Sequence, residues 1–173
     1  MIQKGVAFGV GVEYALHCLV NLIDPPAGRH LGVAELAEYQ GISPSYLSKI
    51  FVRLKKAGVV RSAPGVKGGY ELAKPADQIT FLEVVEAVEG PVQLFQCRSI
   101  IDGCILDAGK PKQPNSTVCA IHAVMMEAEE KVRGHLRTRT LGDIDRELDG
   151  VLSVERRDAT RRWFENALKL SEA

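Results

Sequence analysis

No apolar run in this 173-residue chain approaches the ~20 residues that span a bilayer. Its start also lacks a basic segment followed by an apolar stretch and a cleavage site. These absences exclude a membrane partner and give the cytoplasm as the expected compartment. There, the four cysteines are poor candidates for structural disulfides, so a cluster of them points to metal or redox chemistry. Also missing are the paired Cys-x2–4-Cys knuckles of structural zinc sites. No nucleophile–base pair or phosphate-cradling loop is visible, and no helix follows the glycine-rich stretch at Pro64–Gly69, which rules out a dinucleotide fingerprint. Internal repeats and low-complexity tracts are absent. Net charge is zero, with 22 Lys+Arg against 22 Asp+Glu, and 46% hydrophobic residues is ordinary for a folded chain. Such a length buries one core, or one small domain plus an oligomerisation element.

What the chain has is charge concentrated in one place. From Ile42 to Lys74 the bases are Lys49, Arg53, Lys55, Lys56, Arg61, Lys67 and Lys74, and Glu71 is the sole acid, a local net charge of +6. That asymmetry is the footprint of phosphate binding. Within it, Ser43 and Pro44 suit a helix start. Leu47, Ile50, Phe51 and Leu54 then recur at helical spacing, opposite Ser45, Ser48, Lys49 and Arg53. Upstream, Val33, Leu36 and Ala37 mark a helix that Gly41 ends, so the pair reads as helix-turn-helix. Downstream, Val59-Val60-Arg61-Ser62 and Tyr70-Glu71-Leu72 are strand-like around a turn-rich tip, a hairpin that reads as a wing. DNA contacts are expected from Ser43, Ser45, Tyr46, Ser48, Lys49, Arg53, Arg61 and Lys67, with Arg53 on phosphate and Lys49, nearer the helix start, reading bases.

The flanks are structural in pattern. Gly11 to Ile23 predicts a helix with Val12, Ala15, Leu16, Leu19, Val20 and Ile23 on one face. Glu13 and His17 stand four apart on its flank, and Cys18 falls beside the buried stripe as a small core residue. Thr80 and Glu83 form a capping box for a helix that Gly90-Pro91 closes. Residues 96–117 read as a loop holding Cys97 and Cys104, and a loop that long is functional or disordered. Cys119 and His122 open a long helix to about Arg137, whose apolar face at Ile121, Val124, Met125, Ala128, Val132 and Leu136 suits pairing with its twin or packing within the chain. Thr140 and Asp143 cap a short helix over Leu141–Leu148, and Ser153–Leu170 predicts another that packs on the dimer or frays. The expected fold is mainly α with a small β wing. The expected segments are a winged helix-turn-helix domain at 1–90, a cysteine-containing loop at 91–118, and a dimerisation helix with C-terminal helices at 119–173.

The cysteines are spaced Cys97-x6-Cys104-x14-Cys119, followed by x2-His122. Iron–sulfur clusters accept such loose spacing when a frame gathers the ligands, and imidazole can replace thiolate. Here the chain resembles the IscR and NsrR family of winged-helix transcription regulators, over about residues 5–150. The matching stretches are Gly41-Ile42-Ser43, Ser45-Tyr46-Leu47, Arg53 to Val60, Gly68-Gly69-Tyr70 and Ile79 to Val88. The resemblance implies a homodimer, paired through the helix from Cys119 to Arg137, that binds a double-stranded operator and carries a cluster. Val12-Glu13-Tyr14-Ala15-Leu16-His17 is similar to a redox-sensing branch of that family. The implied ligands of a two-iron, two-sulfur cluster are Glu13 and His17 with Cys97 and Cys119 of the partner subunit, leaving Cys104 and His122 in reserve. A repressor controlled by that cluster is the leading expectation. A cluster-free regulator governed by thiol oxidation or a protein partner is the alternative, and a small iron–sulfur redox enzyme stands third.

Overall fold

The structure, a computed structural model, describes residues 7–26, 29–63, 68–96 and 120–170. Helix α1, Val10–Asn21, ends two residues short of the expected Ile23 and buries Val12, Ala15, Cys18 and Leu19. Helix α2, Val33–Gln40, stops where Gly41 takes φ 66°, and Ile42 N–H returns to Ala37 O at 2.9 Å. A Cβ at Gly41 would meet nothing within 4 Å, so glycine is required there by its dihedral and not by space. Three residues after α2, helix α3 runs over Pro44–Lys56 with Leu47, Ile50, Phe51 and Leu54 inward, the stripe that periodicity predicts.

Strands β1, Val60–Ala63, and β2, Gly69–Leu72, pair antiparallel in the register Val60↔Leu72, Arg61↔Glu71, Ser62↔Tyr70 and Ala63↔Gly69. Leu31 adds an isolated bridge to Tyr70, which ties the segment before α2 to the hairpin. The hairpin thus stands on the helix-turn-helix, with Tyr70 edge-on to Phe51 at 4.8 Å between ring centroids.

Helix α4, Phe81–Glu89, begins at the expected capping box: Thr80 Oγ1 accepts from Glu83 N–H, and Glu83 accepts from Thr80 N–H at 2.8 Å. Helix α5, Ala120–Thr138, lies on α4. Helix α6, Leu141–Val151, repeats the device with Thr140 and Asp143 and runs three residues beyond the expected Leu148. The two caps face each other across a bridge between Thr80 and Thr140, in which Phe81 N–H donates to Arg139 O at 2.9 Å and Leu141 N–H to Ile79 O at 3.0 Å.

Helix α7, Val154–Leu170, does not fray, one of the two outcomes expected for this segment. It docks on its own α2, because Tyr39 presents an aromatic face there: its ring lies 5.1 Å from Trp163 and 4.8 Å from Phe164, and its hydroxyl meets Thr160 Oγ1 at 2.8 Å. Arg161 pairs with Asp24 alongside. One apolar cluster therefore joins Leu19, Leu36, Phe51, Val85 and Leu141 with Phe164 and Leu168.

Candidate nucleic-acid interface and ligand pair

Burying Leu47, Ile50, Phe51 and Leu54 turns the opposite side of α3 to water. Ser45, Ser48, Lys49 and Val52 stand exposed there in helical register. Ser43 occupies the N-cap position, yet its hydroxyl does not cap the helix, correcting the expected role; it is engaged by Ser45 Oγ at 2.7 Å. Tyr46 is half-exposed but leans on α1, edge-on to Tyr14 at 6.2 Å, and a Cβ at Gly11 would sit 3.2 Å from its hydroxyl. Tyr46 is thus a link from the outward helix to α1 as well as a candidate DNA contact.

The basic patch is less free than its residue count suggests. Arg61 Nε donates to Glu71 Oε1 at 2.7 Å across the hairpin, Lys55 Nζ to Ser62 Oγ at 2.8 Å, and Lys74 Nζ to Glu83 Oε1 at 2.5 Å. Arg53 is the informative case. Its Nη1 donates to Val88 O at 2.5 Å, one of the carbonyls that the end of α4 leaves without an intrahelical partner. Arg53 therefore locks α3 onto α4, a positioning role the helical wheel could not disclose because Val88 is 35 residues away. Lys49 and Lys56 carry no ion pair among the described residues. Lys67 lies outside the described residues.

Glu13 and His17 are exposed one turn apart on α1, neither with a side-chain partner among the described residues. Cys18, next in sequence, is fully buried, and burial pushes its thiol up to about 12, so it is a protonated core residue and no thiolate donor. The remaining ligand candidates, Cys97, Cys104 and Cys119, lie outside the described residues. His122, in the first turn of α5, stands edge-on to Phe95 at 5.9 Å. Among the described residues no three His, Cys, Asp or Glu side chains converge as a metal site. A cation or cluster held by Glu13 and His17 needs further ligands from the cysteine segment or from another chain.

Helix α1 packs on both α3 and α4, so the Glu13–His17 pair sits on the element that supports the outward helix. On α5, none of the 19 residues is buried, and Ile121 and Val124 are 69% and 65% exposed. Val132 and Leu136, expected on the same pairing face, instead pack partly against this chain's own core. No helix among the described residues is long and apolar enough to cross a membrane.

The Rrf2 family, described as iron-dependent transcriptional regulators, matches residues 9–147. The HTH-type transcriptional regulator IscR of Cronobacter sakazakii is 33% identical over 132 residues, 76% of this chain and 75% of that one. IscR of Escherichia coli is 31% identical over 160 residues, 90% of this chain and 92% of the other. Among solved structures, IscR of T. potens superposes with a TM-score of 0.64 at 21% identity, covering 87% of this chain and 93% of that one. CymR, titled the global cysteine regulator of B. subtilis, gives 0.62 at 21% identity over 83% and 98%. At those identities the structural likenesses speak to the winged-helix fold.

Proposed function

This chain belongs to the Rrf2 family of transcription regulators, and from that premise we propose that it is a homodimeric repressor whose operator binding is governed by a two-iron, two-sulfur cluster. It is a DNA-binding regulator and not an enzyme.

The observation that carries the cluster reading is the Glu13–His17 pair: a carboxylate and an imidazole, one turn apart, exposed and unpartnered among the described residues, on the helix beneath the DNA-reading unit. Both groups are competent iron ligands, and the soft thiolates of Cys97 and Cys119 would complete the set from the partner subunit. Such a cluster, when bound, supplies one-electron redox chemistry. The chain's own contribution is the route from that pair to DNA. Tyr14, next to Glu13, touches Tyr46 on α3, and Val88, on the α4 that α1 packs against, is held by Arg53. A rearrangement of α1 therefore biases the setting of α3, as a ligand biases a two-state element. The exposed apolar start of α5 supports pairing with a second copy.

Visible spectra and iron content of anaerobically purified protein test the reading. Glu13→Ala, His17→Ala, Cys97→Ser and Cys119→Ser should each lose or alter the cluster absorbance, whereas Cys104→Ser should keep it. Loss in Cys104→Ser with retention in His17→Ala would overturn the ligand set. A colourless, iron-free protein that still discriminates an operator would favour a regulator governed by thiol oxidation or a protein partner.

A further inference from the structure

Val52 is the one aliphatic residue of α3 that is not buried. Leu47, Ile50 and Leu54 are at most 4% exposed, whereas Val52 is 63% exposed. It continues the row of Ser45, Ser48 and Lys49 at i, i+3, i+4 and i+7, so it projects from the same side as the serines and the free lysine. The rest of that row is polar or cationic, and the helix packs its other sides on α1, α2, α4 and β1. Among the described residues nothing packs on this valine.

The row spans about 10 Å of helix at ~1.5 Å per residue, about three base-pair steps at ~3.4 Å each. Its two ends therefore face different base pairs. In the major groove the bases present hydrogen-bond donors and acceptors, and thymine adds, beside its O4 acceptor, an apolar C5-methyl. A valine gains nothing against a phosphate or a polar edge, but it removes area from water when it covers that methyl. Its β-branched side chain is also confined to one χ1 well in a helix, so the apolar surface is already in place before DNA arrives.

We propose that Val52 is a specificity-determining residue that reads thymine methyl groups at the end of the base-contacting row. The inference rests on the DNA-binding reading of α3 and deepens it by naming the base group recognised.

The test begins by selecting operators for the full-length protein from a random duplex library. Affinities of the native protein and Val52→Ser are then compared on the selected duplex and on versions in which each thymine in turn is replaced by 2′-deoxyuridine, which removes only the methyl. Because Val52 is exposed, the serine variant should retain its far-ultraviolet circular dichroism. One or two replacements should weaken native binding about fourfold, corresponding to ~0.8 kcal/mol for one buried carbon, and the same replacements should leave Val52→Ser unaffected. Native binding indifferent to every methyl, or equal losses in both proteins, would overturn the inference while leaving the DNA reading intact. A library that enriches no sequence would overturn both.

Discussion

Helices α3 and α5 are both amphipathic, but they leave opposite kinds of surface in water. Four of the 13 residues of α3 are buried, and what it exposes is mainly serine and lysine. None of the 19 residues of α5 is buried, and its first turns expose Ile121, Val124 and Met126. The outward face of α3 loses little in water and suits a charged, hydrated surface such as DNA. The exposed start of α5 is apolar, ahead of the charged Glu127, Glu130, Lys131 and Arg137, and gains about 25 cal/mol per Å² only when another apolar surface covers it. One helix completes the chain's own core, and the start of the other is left uncovered by the described residues, which is the surface the proposed dimer would use. The partner of each helix can thus be inferred from what its packing leaves over.

The sharpest way to break the comparison is inside α3. Phe51, fully buried and set against Tyr70, ties the recognition helix to the wing. Phe51→Ala should cost about 3–5 kcal/mol of stability, measured by denaturant unfolding. A loss below 1 kcal/mol would mean that α3 is not the keystone its burial implies.

Val124→Asp makes the complementary break. It should leave helical content by circular dichroism unchanged, since nothing among the described residues covers Val124, yet shift sedimentation from dimer to monomer. Each 1.4 kcal/mol lost from the interface weakens dimerisation tenfold. An unchanged dimer would place the interface elsewhere than the start of α5.

A smaller effect lies where the two regions meet, at the α4 cap. Burial alone would raise the Glu83 carboxyl, but hydrogen bonds from Lys74 and from the Thr80 N–H, together with the Lys74 charge, hold it below the usual range. A lowered carboxylate contributes stability that is fully present above its unfolded value and lost as pH falls through its folded one. Glu83→Gln should therefore be slightly less stable near neutrality and should flatten the acid limb of the unfolding midpoint between about pH 5 and pH 3. Because the Lys74–Glu83 pair is partly exposed, the difference should be a few tenths of a kcal/mol. Parallel acid limbs for both proteins would remove the assigned role.

The features legible from sequence were those whose causes lie within a few residues. The α3 stripe, the φ-positive Gly41 and both capping boxes depend on neighbours within one or two turns, and all four occur as expected. The spacing of Glu13 and His17 was legible for the same reason, being a single turn on a predicted helix, but their role as ligands came from the family resemblance and stands as a proposal. What escaped depends on distant partners. Val88, which takes up Arg53, and Tyr39, which seats α7, belong to other elements, and no local period records them. Arg61 was within reach: once the hairpin register is set, Glu71 stands directly opposite it, and the charge count can be discounted accordingly.

The joint between residues 79–81 and 139–141 has a consequence for how sequences can drift. Phe81 and Leu141 are each the first residue of a helix, where the N–H normally has no intrahelical acceptor. Here each of these spare groups is spent on the other's strand, through Arg139 O and Ile79 O. At such a position proline is usually the most welcome of replacements, because it gives up a hydrogen bond that was never made. At 81 and 141 the rule inverts. The two clasping bonds are made by main chain, so a replacement at 81 or 141 that keeps its N–H can keep its bond, whereas proline at either position removes one outright.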